Sequence, residues 1–209
     1  MDREPRTMGG SGYDPPSMPL PRVYLAGPEV FLLTPHAIAD AKKALCTAHG
    51  FEGVFPLDGD LDLTGLAARE QAKKISAANE ALIRGCQLVV ANVTPFRGPS
   101  ADVGTAYEMG FARGLGLPVF AYSNLVAPFA ERVSAAILGG AKRRADGALA
   151  DEHSMSIEPF GLLDNLMLEG AVDASGARIC VHAADPSDLF TDLTAFKACL
   201  RQARDALHR

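Results

Sequence analysis

The sequence predicts an α/β fold: three layers, α/β/α, around a central parallel sheet of about five strands. Three observations carry this. Short apolar runs recur at Val23-Tyr24-Leu25-Ala26, Phe51 to Phe55, Gln87 to Asn92 and Pro118 to Tyr122. Stretches of helical composition separate them, and that alternation implies right-handed crossovers between parallel strands. Within Gln87 to Asn92 the apolar run is nearly continuous, as in a strand whose sheet is covered on both faces.

The elements follow in order. Met1 to Pro21 holds five Pro and three Gly and no apolar run, so it reads as a disordered arm rather than a secretory signal. Residues 22–209 then form one domain. The first strand, Val23 to Ala26, stops at Gly27-Pro28. Thr34-Pro35 has the form of a helix N-cap with proline at the first helical position, and that helix runs to His49, with Gly50 closing it. Phe51 to Phe55 is the second strand. Leu66 to Arg84, rich in Ala, Lys and Glu, is a long helix. The third strand, Gln87 to Asn92, leads into a Pro/Gly-rich loop, Thr94 to Ala101. A helix from about Asp102 to Arg113 follows, and Pro118 to Tyr122 is the fourth strand. Val126 to Leu138 is expected to be helical, Gly139 to Asp151 a mobile basic loop, Leu162 to Leu168 a short helix, and Arg178 to His182 a fifth strand. Asp185-Pro186 is expected to start a final helix with Leu189, Leu193, Phe196 and Leu200 on one stripe. With strand order 2-1-3-4-5 the arrangement is flavodoxin-like, and the loops after strands one and three are neighbours at the switch point where ligands bind.

Composition excludes several classes of function. Of 209 residues, 48% are apolar and 22% charged, an ordinary globular balance. Twenty basic and 25 acidic residues give −5, so the net charge gives no electrostatic bias toward nucleic acid or an anionic membrane. No run of apolar residues is long enough to span a bilayer. Four scattered cysteines (Cys46, Cys86, Cys180, Cys199) make no disulfide framework, and without CxxC or HxH spacing no metal is expected. The cytoplasm is the expected compartment.

The chemistry concentrates in Asp102-Val103-Gly104-Thr105-Ala106-Tyr107-Glu108-Met109-Gly110. From spacing alone Asp102 reads as a helix cap and Glu108 as a solvated helix residue, or the two as converging carboxylates. Six residues at about 100° each set them apart around the helix, so convergence requires Asp102 at the rim and Glu108 under the end of the sheet. The apolar setting of Glu108 (Ala106, Met109, Phe111, Ala112) tilts it toward burial, and a buried carboxyl needs a partner or a raised pKa. Tyr24, on the first strand, is one residue that could supply a hydroxyl. Gly104 and Gly110 each cost about 1 kcal/mol of helix stability; the expected return is close approach, of a ligand at Gly104 and of a strand at Gly110. Phe31, just after the first strand, either joins the core or stacks on a planar ligand.

These residues resemble a known family. Tyr24-Leu25-Ala26-Gly27-Pro28, Pro56-Leu57-Asp58, Ala91 to Gly98 and Asp102 to Gly110 are together similar to the nucleoside 2-deoxyribosyltransferases, over about Arg22 to Leu168. The Asp-x-Gly-x-x-x-Glu-x-Gly core is the specific part. The resemblance implies cleavage of the N-glycosidic bond of a 2′-deoxynucleoside and transfer of the sugar to another base. It implies Glu108 as the nucleophile, Tyr24 as the hydroxyl that holds it, and Asp102 as a carboxylate that contacts the sugar or helps protonate the leaving base. Gly27, Phe31, Asp58, Asn79, Gly104, Asn165 and Met167 are the expected substrate-binding residues. Asn165 and Met167 lie in a segment that reaches a neighbouring subunit's site, so a homo-oligomer with composite sites is implied, or Leu162 to Leu168 is an ordinary core helix. Asn79 departs from the family, which often has aspartate there; an amide hydrogen-bonds a base edge but donates no acid proton. The partners implied are a deoxynucleoside and a free nucleobase, with no cofactor.

Two other readings stand beside this one. A nucleoside or nucleoside 5′-monophosphate N-glycosidase would let water resolve the intermediate, and Arg97 and Ser100 could meet a phosphate. A non-catalytic nucleotide-binding module on the same fold would bind without Glu108. Flavin binding is disfavoured because Ala26-Gly27-Pro28-Glu29-Val30 offers no Ser/Thr phosphate turn.

Overall fold

The computed structural model describes residues 19–59, 61–137 and 139–207. The expected N-terminal arm therefore lies outside the described residues, apart from Pro19 to Pro21.

The sheet forms from β1 (Arg22–Ala26), β2 (Glu52–Val54), β3 (Leu88–Asn92), β4 (Val119–Ser123) and a later strand, β7 (Cys180–Val181). The order is β2-β1-β3-β4-β7 and every pairing is parallel, which is the predicted order of five. Val23 pairs with Leu88 and Ala26 with Ala91, so β1 and β3 end side by side. Both are buried through their apolar residues because helices cover each face.

One layer consists of α1 (Pro35–Ala48) and α6 (Thr194–Leu207), which meet where Lys42 lies over Phe196. The other consists of α2 (Ala68–Arg84), α3 (Val103–Gly114) and α5 (Leu166–Asp173), with α3 in the middle. The helix α4 (Phe129–Ala136) lies between β4 and the last third of the chain. The core is one cluster in which Tyr24, Phe51, Phe120, Met109 and Phe196 are fully or almost fully buried.

The last third departs from the sequence reading in four places, each with a local cause. The expected helix over Val126 to Leu138 starts only at Phe129, because Pro128 leads it. The expected loop Gly139 to Asp151 contains a hairpin, β5 (Lys142–Arg143) with β6 (Leu149–Ala150). Its turn is Ala145-Asp146-Gly147: Gly147 has φ 85, and Asp146 accepts the Ala148 N–H at 3.0 Å. The expected helix Leu162 to Leu168 is displaced to Leu166–Asp173, since the Asn165 side chain caps it by accepting the Met167 N–H at 3.0 Å. The final helix does not start at Asp185-Pro186. Asp185 caps only a 3₁₀ turn, Pro186–Asp188, and the chain restarts at Thr194, whose N–H bonds Asp192 at 2.6 Å.

Candidate functional site

The site sits beyond the ends of β1 and β3. After β1 the chain turns at Gly27 into a 3₁₀ turn, Pro28–Phe31. After β3, Asn92 accepts the Thr94 N–H at 3.0 Å and sends the chain into the Pro/Gly-rich loop. That loop ends at Asp102, whose carboxylate accepts the Thr105 N–H at 3.0 Å and caps α3. A side chain at position 104 would have its Cβ 2.9 Å from Asp102 Oδ2, so the neighbour that requires glycine there is the capping carboxylate. Gly110 departs from expectation: among the described residues nothing lies within 4 Å of a Cβ built there, and none of the described strands crowds it. It faces an open groove between α3 and α5.

Glu108 is half-buried in the second turn of α3, and Tyr24 on β1 is fully buried. The phenol donates to Glu108 Oε1 at 2.5 Å. Burial raises the Glu108 carboxyl to a pKa of about 7; the Tyr24 hydrogen bond opposes this, and the charges of Asp102 and Glu29 add to it. Near neutral pH the group is therefore divided between acid and carboxylate. The Tyr24 phenol is pushed well above its ordinary value by burial and by Glu108, so it stays a donor. A carboxyl poised in this way can serve as a nucleophile or as a proton carrier.

Glu108 lies at the waist of a two-lobed cavity. One lobe, about 310 Å³, is walled by Gly27, Val30, Phe31, Pro56, Leu57 and Asp102. The other, about 380 Å³, runs between α2 and α3 past Ser76, Glu80, Ile83 and Tyr107. Ile75, Asn79, Gly104 and Glu108 border both. Asn79 brings a buried Oδ1 that has no hydrogen-bond partner among the described residues. Phe31 is exposed and not part of the core: it stacks on Phe96 at 5.4 Å, with the Arg97 guanidinium 4.9 Å from the Phe31 ring centre. Arg97 holds φ 56, a left-handed backbone seldom adopted outside glycine.

The structure thus brings together Tyr24, Gly27, Phe31, Asn79, Asp102, Gly104 and Glu108. It leaves Asp58, Asn165 and Met167 outside this cavity. Asp58 accepts the Phe55 N–H at 2.7 Å and pairs with Lys43, which fixes the turn whose Pro56 and Leu57 form the wall. Asn165 Nδ2 donates to Glu158 at 3.1 Å. Met167 is 72% exposed and borders the apolar groove with Ala106, Met109 and Gly110.

One buried cluster is not marked by any of the sequence motifs. Glu29 is 1% exposed and its Oε1 takes three donors: Lys42 Nζ at 2.7 Å, Tyr122 OH at 2.8 Å and Asn92 Nδ2 at 3.0 Å. Lys42 is 0% exposed and lies over the Tyr122 and Phe196 rings. The cluster pins the turn after β1 to the ends of β3 and β4. It also explains Gly27, where a Cβ would fall 2.0 Å from Glu29 Oε2. The available signal was Lys42 on the same helical stripe as Ile38 and Cys46, all buried.

Comparison with known proteins identifies the family and the fold. Residues 23–167 match the family model described as nucleoside 2-deoxyribosyltransferase. An uncharacterised protein of Schizosaccharomyces pombe is 28% identical over 172 residues, 78% of this chain and 82% of its own. The solved structure of a 2-desoxiribosyltransferase from Leishmania mexicana is 27% identical, with TM-score 0.58, over 88% of this chain and 97% of its own. A 2-deoxyribosyltransferase from Bacillus psychrosaccharolyticus is 18% identical, with TM-score 0.43, over 55% of this chain and 81% of its own. Among the described residues no helix is long and apolar enough to cross a membrane, and no three His, Cys, Asp or Glu side chains gather as a metal site.

Proposed function

This chain belongs to the nucleoside 2-deoxyribosyltransferase family, and from that premise we propose that it exchanges the base of 2′-deoxynucleosides through a covalent intermediate on Glu108. The supporting observation is the Tyr24–Glu108 hydrogen bond at the waist of a cavity that also holds Asp102.

Glu108 as carboxylate attacks C1′ from the face opposite the base. The C1′–N bond breaks, its electron pair leaves with the base, and a C1′–O ester forms. The departing base takes a proton, supplied by Asp102 or by water, because an anionic base leaves poorly. A second base then attacks C1′ with a ring nitrogen, releases the Glu108 carboxylate and loses its own proton. Two inversions retain the configuration, as in a retaining glycosidase. Atoms and charge balance with no cofactor.

Tyr24 orients the carboxylate and stabilises its charge. Phe31 offers the base an aromatic face. Asn79, with a free acceptor beside Glu108, reads the base edge. Gly27 and Gly104 leave room for the sugar to approach. Asn165 and Met167, which do not line the cavity of their own protomer, serve the site of a neighbouring copy in a homo-oligomer. Asp58 acts by holding the Pro56–Leu57 wall.

The test is chromatography of deoxyinosine incubated with the protein, with and without adenine. Deoxyadenosine formed only with both reactants supports transfer. Hypoxanthine released without deoxyadenosine would replace transfer by hydrolysis. No conversion of this or of other deoxynucleosides would contradict the proposal.

A further inference from the structure

Asp164 is fully buried, yet it borders neither lobe of the cavity. Its Oδ1 accepts from Ser100 Oγ and from the Asn165 N–H at 2.8 Å. Its Oδ2 accepts the Ala101 N–H at 2.9 Å and Arg132 Nη2 at 3.2 Å. A carboxylate has about four acceptor positions, and all are in use. Arg132 extends the contact by donating to Pro99 O at 2.7 Å and to Leu163 O at 2.6 Å. Two segments more than 60 residues apart in sequence therefore hang on one ion pair. One bears Asp102, immediately after Ala101. The other bears Asn165, immediately after Asp164.

A buried pair that served stability alone could bond to any backbone nearby. This one grips the peptide on each side just before a residue of the proposed site. A saturated carboxylate also leaves little slack, since moving one segment breaks a bond that the other shares.

We propose that Asp164, neutralised by Arg132, is a positioning residue that holds Asp102 and Asn165 as one unit. Asp102 is thereby fixed beside Glu108 in its own protomer, and the segment Asn165 to Met167 is fixed for a neighbour. The second half rests on the proposed function; the first does not. Geometry at one site is thus tied to geometry at the next.

Two variants test this. Asp164→Asn removes the charge and leaves Arg132 buried without its partner, which can cost the fold. Ser100→Ala removes one bond only and keeps the pair. The first readout is amide hydrogen exchange, which requires no activity. Exchange in residues 101–105 and 165–168 should rise together, by about tenfold or more, while β1 and β3 keep their protection. The second readout is the pH profile of base exchange. Glu108 faces Tyr24, Asp102 and Glu29, and Asp102 contributes to its raised pKa. When Asp102 is released, the acidic limb should move to lower pH. Faster exchange in only one segment, a uniform rise across the chain, or no change would overturn the proposal. If wild-type protein converts no deoxynucleoside, the functional reading falls while hydrogen exchange still decides the positioning claim.

Discussion

The Tyr24 phenol reaches Glu108 Oε1 across 2.5 Å and so joins the first strand to the second turn of α3. The strand is rigid and buried on both faces, so the carboxyl is held by a donor that cannot follow solvent. Burial sets the Glu108 pKa near 7, and three charged or polar neighbours trim it in opposite directions. The activity should therefore rise with pH through about 7, as the nucleophilic carboxylate appears.

Tyr24→Phe removes the one neighbour that lowers the Glu108 pKa. Hydrogen bonds to charged groups contribute about 1.5–3 kcal/mol, so the acidic limb of kcat/KM should move up by about one to two pH units. A profile that stays in place would deny the hydrogen bond its role.

Asp102→Asn keeps a good helix cap but deletes a charge that raises Glu108. The acidic limb should move to lower pH, opposite to Tyr24→Phe, while kcat falls. Circular dichroism should be unchanged. Limbs that move in the same direction in both variants would contradict the electrostatic account.

Glu108→Gln should abolish turnover, by more than roughly 10³-fold, and yet stabilise the fold at alkaline pH. The folded pKa, about 7, lies above the ordinary 4.5, so the folded state binds more protons than the unfolded chain between those values. Wild-type stability is then highest below about pH 4.5 with respect to this group and declines as pH rises through 7. The difference corresponds to about 3 kcal/mol. Thermal melts should place the variant above wild type at pH 8, with the gap closing near pH 5. A gap independent of pH would show that Glu108 is not strained by its ionisation.

Lys42→Met strands the Glu29 carboxylate in the core. Breaking a buried pair from one side costs about 3–5 kcal/mol, and Glu29→Gln in the same chain should recover part of it. Urea unfolding of the single and double variants measures this. A single variant as stable as wild type would mean that the cluster does not pin the turn after β1.

The strands and helices of the first two thirds were legible because alternation, strand length and cap signals are local, and the order 2-1-3-4-5 is the flavodoxin-like arrangement that such alternation admits. Asp102 as a cap follows from its place before α3, whereas Tyr24 as the hydroxyl that holds Glu108 is implied by the family resemblance and is met by the hydrogen bond in the structure. What was not legible depended on distant segments. Glu29 draws donors from α1, β3 and β4, and no spacing in the sequence joins Glu29, Lys42, Asn92 and Tyr122. Asp164 is similar: its partners Ser100 and Arg132 lie on either side of β4 in the chain. The hairpin at Lys142 to Ala150 is a different case, because Asp146-Gly147 is a local turn signal that net basic charge obscured. Phe31 stands outside the core because Phe96 and Arg97 come from another loop to meet it.

The covalent step is tested most directly by mass spectrometry. The protein would be incubated with deoxyinosine and no acceptor base, quenched in acid and digested. The peptide containing Glu108 should gain the mass of one deoxyribosyl group, lost when adenine is added before the quench and absent in Glu108→Gln. Unmodified peptide from a preparation that forms deoxyadenosine once adenine is supplied would contradict it.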